Sequence, residues 1–237
     1  MRIVLVDVRP REAYEAGHVP GAVHLDTETD LSTIGPDAAV GGRHPLPDDA
    51  KLERVFGGAG IGPDSFVLVL DDGSGWAARC WWLLRHVGHD AAGSLDIRTY
   101  VGPLSTEPVE PEAVEFHARP RSDDTIEAEE ILARLGDGSL TLFDARSRIR
   151  WLGEEEPLDP VAGRIPGAHS APFDEPLPPD AAAAPGPVAY CGSGVSAAVT
   201  AQKLIVAGRD DVRLYPGSFS EWCRRPGYPI EKGLPTP

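Results

Sequence analysis

Two tandem α/β units, each a central parallel sheet flanked by helices, are predicted by this sequence from three observations. The first is an internal repeat, which bears on fold before anything else does. Val4-Leu5-Val6-Asp7-Val8-Arg9, then Gly17-His18-Val19-Pro20-Gly21-Ala22, parallels Leu140-Thr141-Leu142-Phe143-Asp144-Ala145-Arg146, then Gly163-Arg164-Ile165-Pro166-Gly167-Ala168. Further on, Leu68-Val69-Leu70-Asp71-Asp72-Gly73-Ser74-Gly75 parallels Pro187-Val188-Ala189-Tyr190-Cys191-Gly192-Ser193-Gly194. The second observation is the alternation of apolar, strand-like runs with amphipathic segments inside each repeat, the pattern of a parallel sheet covered by helices. The third is a thiol, Cys191, on a strand-to-helix turn of the second repeat, with no thiol on the matching turn of the first.

In chain order, residues 4–9 and 68–71 read as strands of the first unit. Trp81-Trp82-Leu83-Leu84-Arg85-His86-Val87 reads as a helix closed by Gly88. Residues 102–124, with prolines at 103, 108, 111 and 120 and many charges, read as the connector. The second unit opens with the amphipathic run 126–135, which has no counterpart before Asp7. Strands at 140–144 and 187–190 follow, and the helical run 198–206 is closed by Gly208. The units are expected at residues 1–118 and 122–237. In such sheets ligands bind at the carboxyl ends of the strands, where Cys191 falls.

Composition narrows the function classes. The chain has 237 residues, 41% of them hydrophobic, and a formal net charge of −15. That field repels phosphates, so neither nucleic acid nor an anionic membrane surface is an expected partner. No apolar stretch is long enough to span a bilayer and no signal peptide precedes Val4, so the expected location is the cytoplasm. The cysteines are three, Cys80, Cys191 and Cys223, an odd count without metal-type spacing; no disulfide framework, metal site or cofactor is expected.

Cys191 is the candidate nucleophile. Gly192-Ser193-Gly194-Val195-Ser196 follow it, and an alanine-rich helix begins there. Small residues let several backbone N–H groups point inward at whatever the sulfur carries, and a helix start favours negative charge. An anionic sulfur, or a persulfide attached to it, suits such a cradle. Aligning the two Gly-Ser-Gly strings sets Asp72 opposite Cys191, where it is read as the cap of the following helix. Asp144 and Arg146 are read as an internal ion pair. Ala197 stands where a cysteine phosphatase carries its phosphate-gripping arginine, which argues against that class.

The paired Asp-x-Arg and Gly-x-x-Pro-Gly-Ala segments, the tandem repeat and a cysteine loop in the second half together resemble the two-domain rhodanese-like sulfurtransferases. The resemblance covers nearly the whole chain. It implies two rhodanese-like domains of which the second is catalytic, with Cys191 cycling between thiolate and persulfide. Sulfur would pass from a small donor to a thiol or cyanide, with a thioredoxin-like reductant as a candidate partner. Cys-Gly-Ser-Gly-Val-Ser is similar to the loop of the 3-mercaptopyruvate enzymes, whereas thiosulfate enzymes place basic residues directly after the cysteine. The resemblance further implies a proton relay of Ser193, His44 and Glu28. It gives Arg150 the donor carboxylate, and Gly192, Gly194, Val195 and Ser196 the donor pocket. A second family arginine is absent, because Leu158 stands in its place; Arg164 is a candidate substitute. Thiosulfate:cyanide sulfur transfer and a persulfide carrier that loads without turnover are the alternatives.

Overall fold

The computed structural model describes residues 2–234. Two compact units emerge, Met1–Thr33 with Leu46–Arg121, and Ile34–Pro45 with Ser122–Pro237. The expected division at residues 118–122 therefore needs one correction: Ile34–Pro45 packs with the second unit. Its polar groups find their partners there, as the Arg43 N–H does on Ser220 Oγ at 3.1 Å and the Gly41 N–H on the Glu221 carboxylate at 3.3 Å.

The first unit runs β1 (Arg2–Asp7), α1 (Arg11–Ala16), β2 (Val23–His24), α2 (Asp49–Gly58), β3 (Ser65–Asp71), α3 (Trp76–His86) and β4 (Ala92–Asp96). Its four strands lie in the order β2-β1-β3-β4, and every pairing is parallel. Central strand β3 reads Ser-Phe-Val-Leu-Val-Leu-Asp, the continuous apolar run of a strand covered on both faces. The covering helix α3 buries Ala77, Ala78, Cys80, Trp82, Leu83 and Leu84, and ends where Gly88 takes φ 84°.

The second unit repeats the plan with α4 (Ala128–Ala133), β5 (Thr141–Asp144), α5 (Arg148–Leu152), β6 (His169–Ser170), β7 (Pro187–Tyr190), α6 (Ser196–Val206), β8 (Arg213–Leu214) and α7 (Ser218–Trp222). Its sheet order is β6-β5-β7-β8, again parallel. Val188 and Tyr190 of β7 pack with Ile131, Leu142, Ile165, Tyr215, Phe219 and Trp222 to make its core. Among the described residues no helix is long and apolar enough to cross a membrane.

The repeated Asp-x-Arg motif does the same work in both units. Arg9 forks onto the Asp7 carboxylate at 3.0 and 2.7 Å and donates to the Gly17 carbonyl at 2.8 Å. Arg146 forks onto Asp144 at 3.0 and 2.6 Å and donates to the Gly163 carbonyl at 2.7 Å. Each pair ties the end of a strand to the glycine that opens the Gly-x-x-Pro-Gly-Ala turn, the bidentate geometry that only arginine supplies.

Candidate functional site

Strand β7 ends at Tyr190 and helix α6 begins at Ser196, so Cys191 to Val195 form the turn at the carboxyl end of a central strand. Cys191 is 1% exposed. Its sulfur accepts the N–H of Ser193 at 3.4 Å and that of Gly194 at 3.1 Å. Gly194 takes φ 80°, a conformation that side-chain-bearing residues resist, and this lets the chain curl around the sulfur. Gly192 and Val195 complete the turn, and Ser196 opens α6. Amide dipoles converging on a buried sulfur favour negative charge there.

Ser193, 8% exposed, turns its hydroxyl to His44, whose Nδ1 lies 2.9 Å from Ser193 Oγ. Glu28 belongs to the first unit, where it is exposed in the turn after β2 with its backbone N–H on the Asp26 carboxylate at 3.0 Å.

Arg150, on α5, does not stand alone. Glu156 grips it at 3.1 Å through Nε and 2.6 Å through Nη2, and Asp159 lies 3.5 Å from the same Nη2. Asp159 also accepts from Arg43 Nη1 and from Arg224 Nη1, the latter at 2.7 Å, while Arg146 reaches Glu156 at 3.2 Å. Four arginines thus share three carboxylates, Asp144, Glu156 and Asp159, and Asp37 adds a further negative charge near Arg224. The guanidinium ends meet the cysteine loop at Gly192. A methyl group there would lie 2.7 Å from Arg43 Nη2 and 3.4 Å from Arg150 Nη2, so a side chain at this position would push the Arg43 guanidinium aside.

Arg43 is the residue that sequence reasoning missed. Basic side chains do flank the residue after the cysteine, but they arrive from positions 43 and 150 rather than from the loop itself. The available signal was its place directly before His44. Arg164 does not substitute for the absent arginine. It is fully buried, stacks on the Trp151 ring at 3.9 Å, and donates to the carbonyls of Trp151 and Gly233 at 3.2 and 2.7 Å.

The register of the sheets corrects the alignment of the two turns. Asp7 pairs with Leu70, and its counterpart Asp144 pairs with Tyr190. Helices α3 and α6 begin at Trp76 and Ser196. Both facts make Asp71, not Asp72, the equivalent of Cys191. Asp71 is also the residue that satisfies the turn: its carboxylate accepts the N–H groups of Gly73, Gly75 and Ala77 at 3.0, 2.9 and 3.1 Å and the Ser74 hydroxyl at 3.1 Å. Asp72 is exposed, and the carboxylate that takes the Ala77 N–H at the start of α3 is that of Asp71. The first turn therefore keeps an amide cradle whose anion is a carboxylate of the chain.

Cys80 is buried in α3, and Cys223 is half-buried beside the Ser220 carbonyl, its thiol pushed up by burial and by nearby Asp159. Trp222 is fully buried and meets Tyr228 edge-on at 4.7 Å, so the two serve packing. Among the described residues no cluster of His, Cys, Asp and Glu is placed to hold a metal ion.

A duplicated parallel α/β fold with a thiol in an amide-lined turn of one copy defines a class, and comparison with known proteins agrees with it. Residues 1–98 and 127–225 each match the rhodanese-like domain. The chain belongs to the rhodanese-like family and is a sulfurtransferase built of two such domains. It is 38% identical to the probable 3-mercaptopyruvate sulfurtransferase of Pseudomonas aeruginosa, over 93% of this chain and 86% of that one. It is 35% identical to the putative thiosulfate sulfurtransferase SseB of Mycobacterium tuberculosis, over 98% of this chain and 91% of that one. Its fold is shared with the Tum1 protein of Saccharomyces cerevisiae, with a TM-score of 0.76 and 22% identity over 98% of this chain and 92% of that one.

Proposed function

We propose that the protein moves sulfane sulfur from 3-mercaptopyruvate, in preference to thiosulfate, through a persulfide on Cys191 to a thiol or cyanide. The observation that carries the reading is the convergence of the Ser193 and Gly194 amides on the Cys191 sulfur. The Cys191 thiolate attacks the donor sulfur; an S–S bond forms, the C–S bond breaks, and its electron pair leaves on carbon as the enolate of pyruvate. The donor's thiol proton is delivered to that carbon, giving pyruvate and a persulfide anion on the enzyme. An acceptor thiolate or cyanide then attacks the outer sulfur and returns Cys191 as thiolate. The second domain is the catalytic one.

Only the mercaptopyruvate reaction needs a proton carried from sulfur to carbon, and the His44–Ser193 hydrogen bond supports a relay for it. Arg150 holds the donor carboxylate, with Arg43 beside it at Gly192. The same cations also suit a dianionic thiosulfate, and this favours thiosulfate:cyanide transfer as the second reading. Specificity constants for the two donors on purified protein decide between them. A higher value for 3-mercaptopyruvate is expected, and a clear preference for thiosulfate overturns the donor assignment.

A further inference from the structure

Amide N–H groups can face a sulfur only when the carbonyls of the same peptide groups face away from it, and a carbonyl turned into the protein interior needs a donor. Around Cys191 the partners come from one short stretch. The Cys191 carbonyl accepts the N–H of Phe219 at 2.9 Å, and the Gly192 carbonyl accepts the N–H of Ser220 at 2.9 Å. The Cys191 N–H is donated to Ser218 Oγ at 3.1 Å, and that hydroxyl is donated in turn to the Tyr215 carbonyl at 2.9 Å. The peptide joining Gly192 to Ser193 is therefore held at both ends: its carbonyl on Ser220, its N–H on the Cys191 sulfur. Linked hydrogen bonds of this kind polarise one another.

Ser218 is fully buried and has φ 53°, a non-glycine residue in the left-handed region. An L side chain is disfavoured there, and glycine would adopt the conformation at less cost. A disfavoured conformation persists where its surroundings fix it, and such positions cluster at functional sites. Here the side chain that glycine would lack is the one bonded to the backbone of Cys191. Gly217 before it is required for a separate reason, since a methyl group there would overlap the Glu221 carboxylate.

We propose that Ser218 is a positioning residue for sulfur transfer. Its hydroxyl fixes the Cys191 N–H and registers the 218–220 stretch on the cysteine turn, so that the Ser193 amide points at the sulfur. The inference rests on Cys191 being the nucleophile, and Cys191→Ser tests that reading separately, since retained turnover in that variant defeats it whatever Ser218 does.

Two variants test Ser218. Ser218→Gly removes the hydroxyl and relieves the backbone; Ser218→Ala removes the hydroxyl and keeps the backbone strained. Both are expected to lower kcat for 3-mercaptopyruvate about tenfold, the effect of losing one hydrogen bond, with KM near the parent value. Their thermal stabilities are expected to differ, with the glycine variant the more stable. Equal loss of kcat in two variants of unequal stability supports the proposal. A kcat that follows stability, with the glycine variant as active as the parent, overturns it and leaves Ser218 a purely structural residue. So does a change confined to KM.

Discussion

His44 Nδ1 lies 2.9 Å from Ser193 Oγ, joining residues 149 positions apart in the chain. In the proposed mechanism this hydroxyl, two residues from the Cys191 sulfur and bonded to an imidazole, carries the proton that must leave one donor atom and reach another. His44→Ala is expected to lower kcat/KM for 3-mercaptopyruvate by about 10²-fold or more, the range of general acid–base catalysis. Steady-state kinetics with saturating acceptor measures it. Unchanged turnover removes the relay from the mechanism.

The arginine pair at Gly192 carries a second prediction. Arg43→Ala and Arg150→Ala should each raise KM for 3-mercaptopyruvate about 10- to 100-fold, the cost of one charge-assisted hydrogen bond. Placing an arginine at Leu158 in the Arg43→Ala background should recover part of the loss. If KM is indifferent to Arg43, the cation beside the cysteine loop serves Asp159 alone.

Asp71 gives a prediction about the first unit. Its carboxylate accepts four hydrogen bonds from the turn that follows β3 and is 5% exposed. Asp71→Ala strands those donors and should destabilise the unit by about 2 kcal/mol or more. Amide hydrogen exchange at Gly73, Gly75 and Ala77 should accelerate accordingly. Exchange at the parent rate would show that the turn holds itself without the carboxylate.

His89, 7% exposed, is held below the ordinary histidine value, chiefly because burial disfavours its charged form. The unfolded chain takes up this proton near pH 6.5 while the native state does so only at lower pH. Stability is therefore intact above about pH 6.5, declines as pH falls below it, and levels off once the native imidazole titrates. Urea unfolding between about pH 7.5 and about pH 5 should show this slope, reduced in His89→Gln. An identical slope in the variant assigns it to other groups.

Much of this was legible in the sequence. The repeat announced two parallel sheets because the same Asp-x-Arg fork and Gly-x-x-Pro-Gly-Ala turn recur, and the forks proved alike to within a few tenths of an ångström. Cys191 stood out by its small neighbours. What escaped was set by tertiary structure. Matching the Gly-Ser-Gly strings aligned Asp72 with Cys191, but strand pairing, not loop composition, fixes register, and pairing puts Asp71 there. Arg43 and Ile34–Pro45 as a whole join the second unit through partners more than a hundred positions away, which no local pattern encodes. Arg164 reads in the sequence as a spare cation, yet it is fully buried against the Trp151 ring and is part of the core.

The most direct test of the account is the mass of the protein after incubation with 3-mercaptopyruvate and no acceptor. The parent should gain one sulfur atom, located on the peptide containing Cys191 and released by cyanide, and Cys191→Ser should gain none there. A parent that turns over donor without sulfur ever appearing on Cys191, or a serine variant that transfers sulfur equally well, would contradict it.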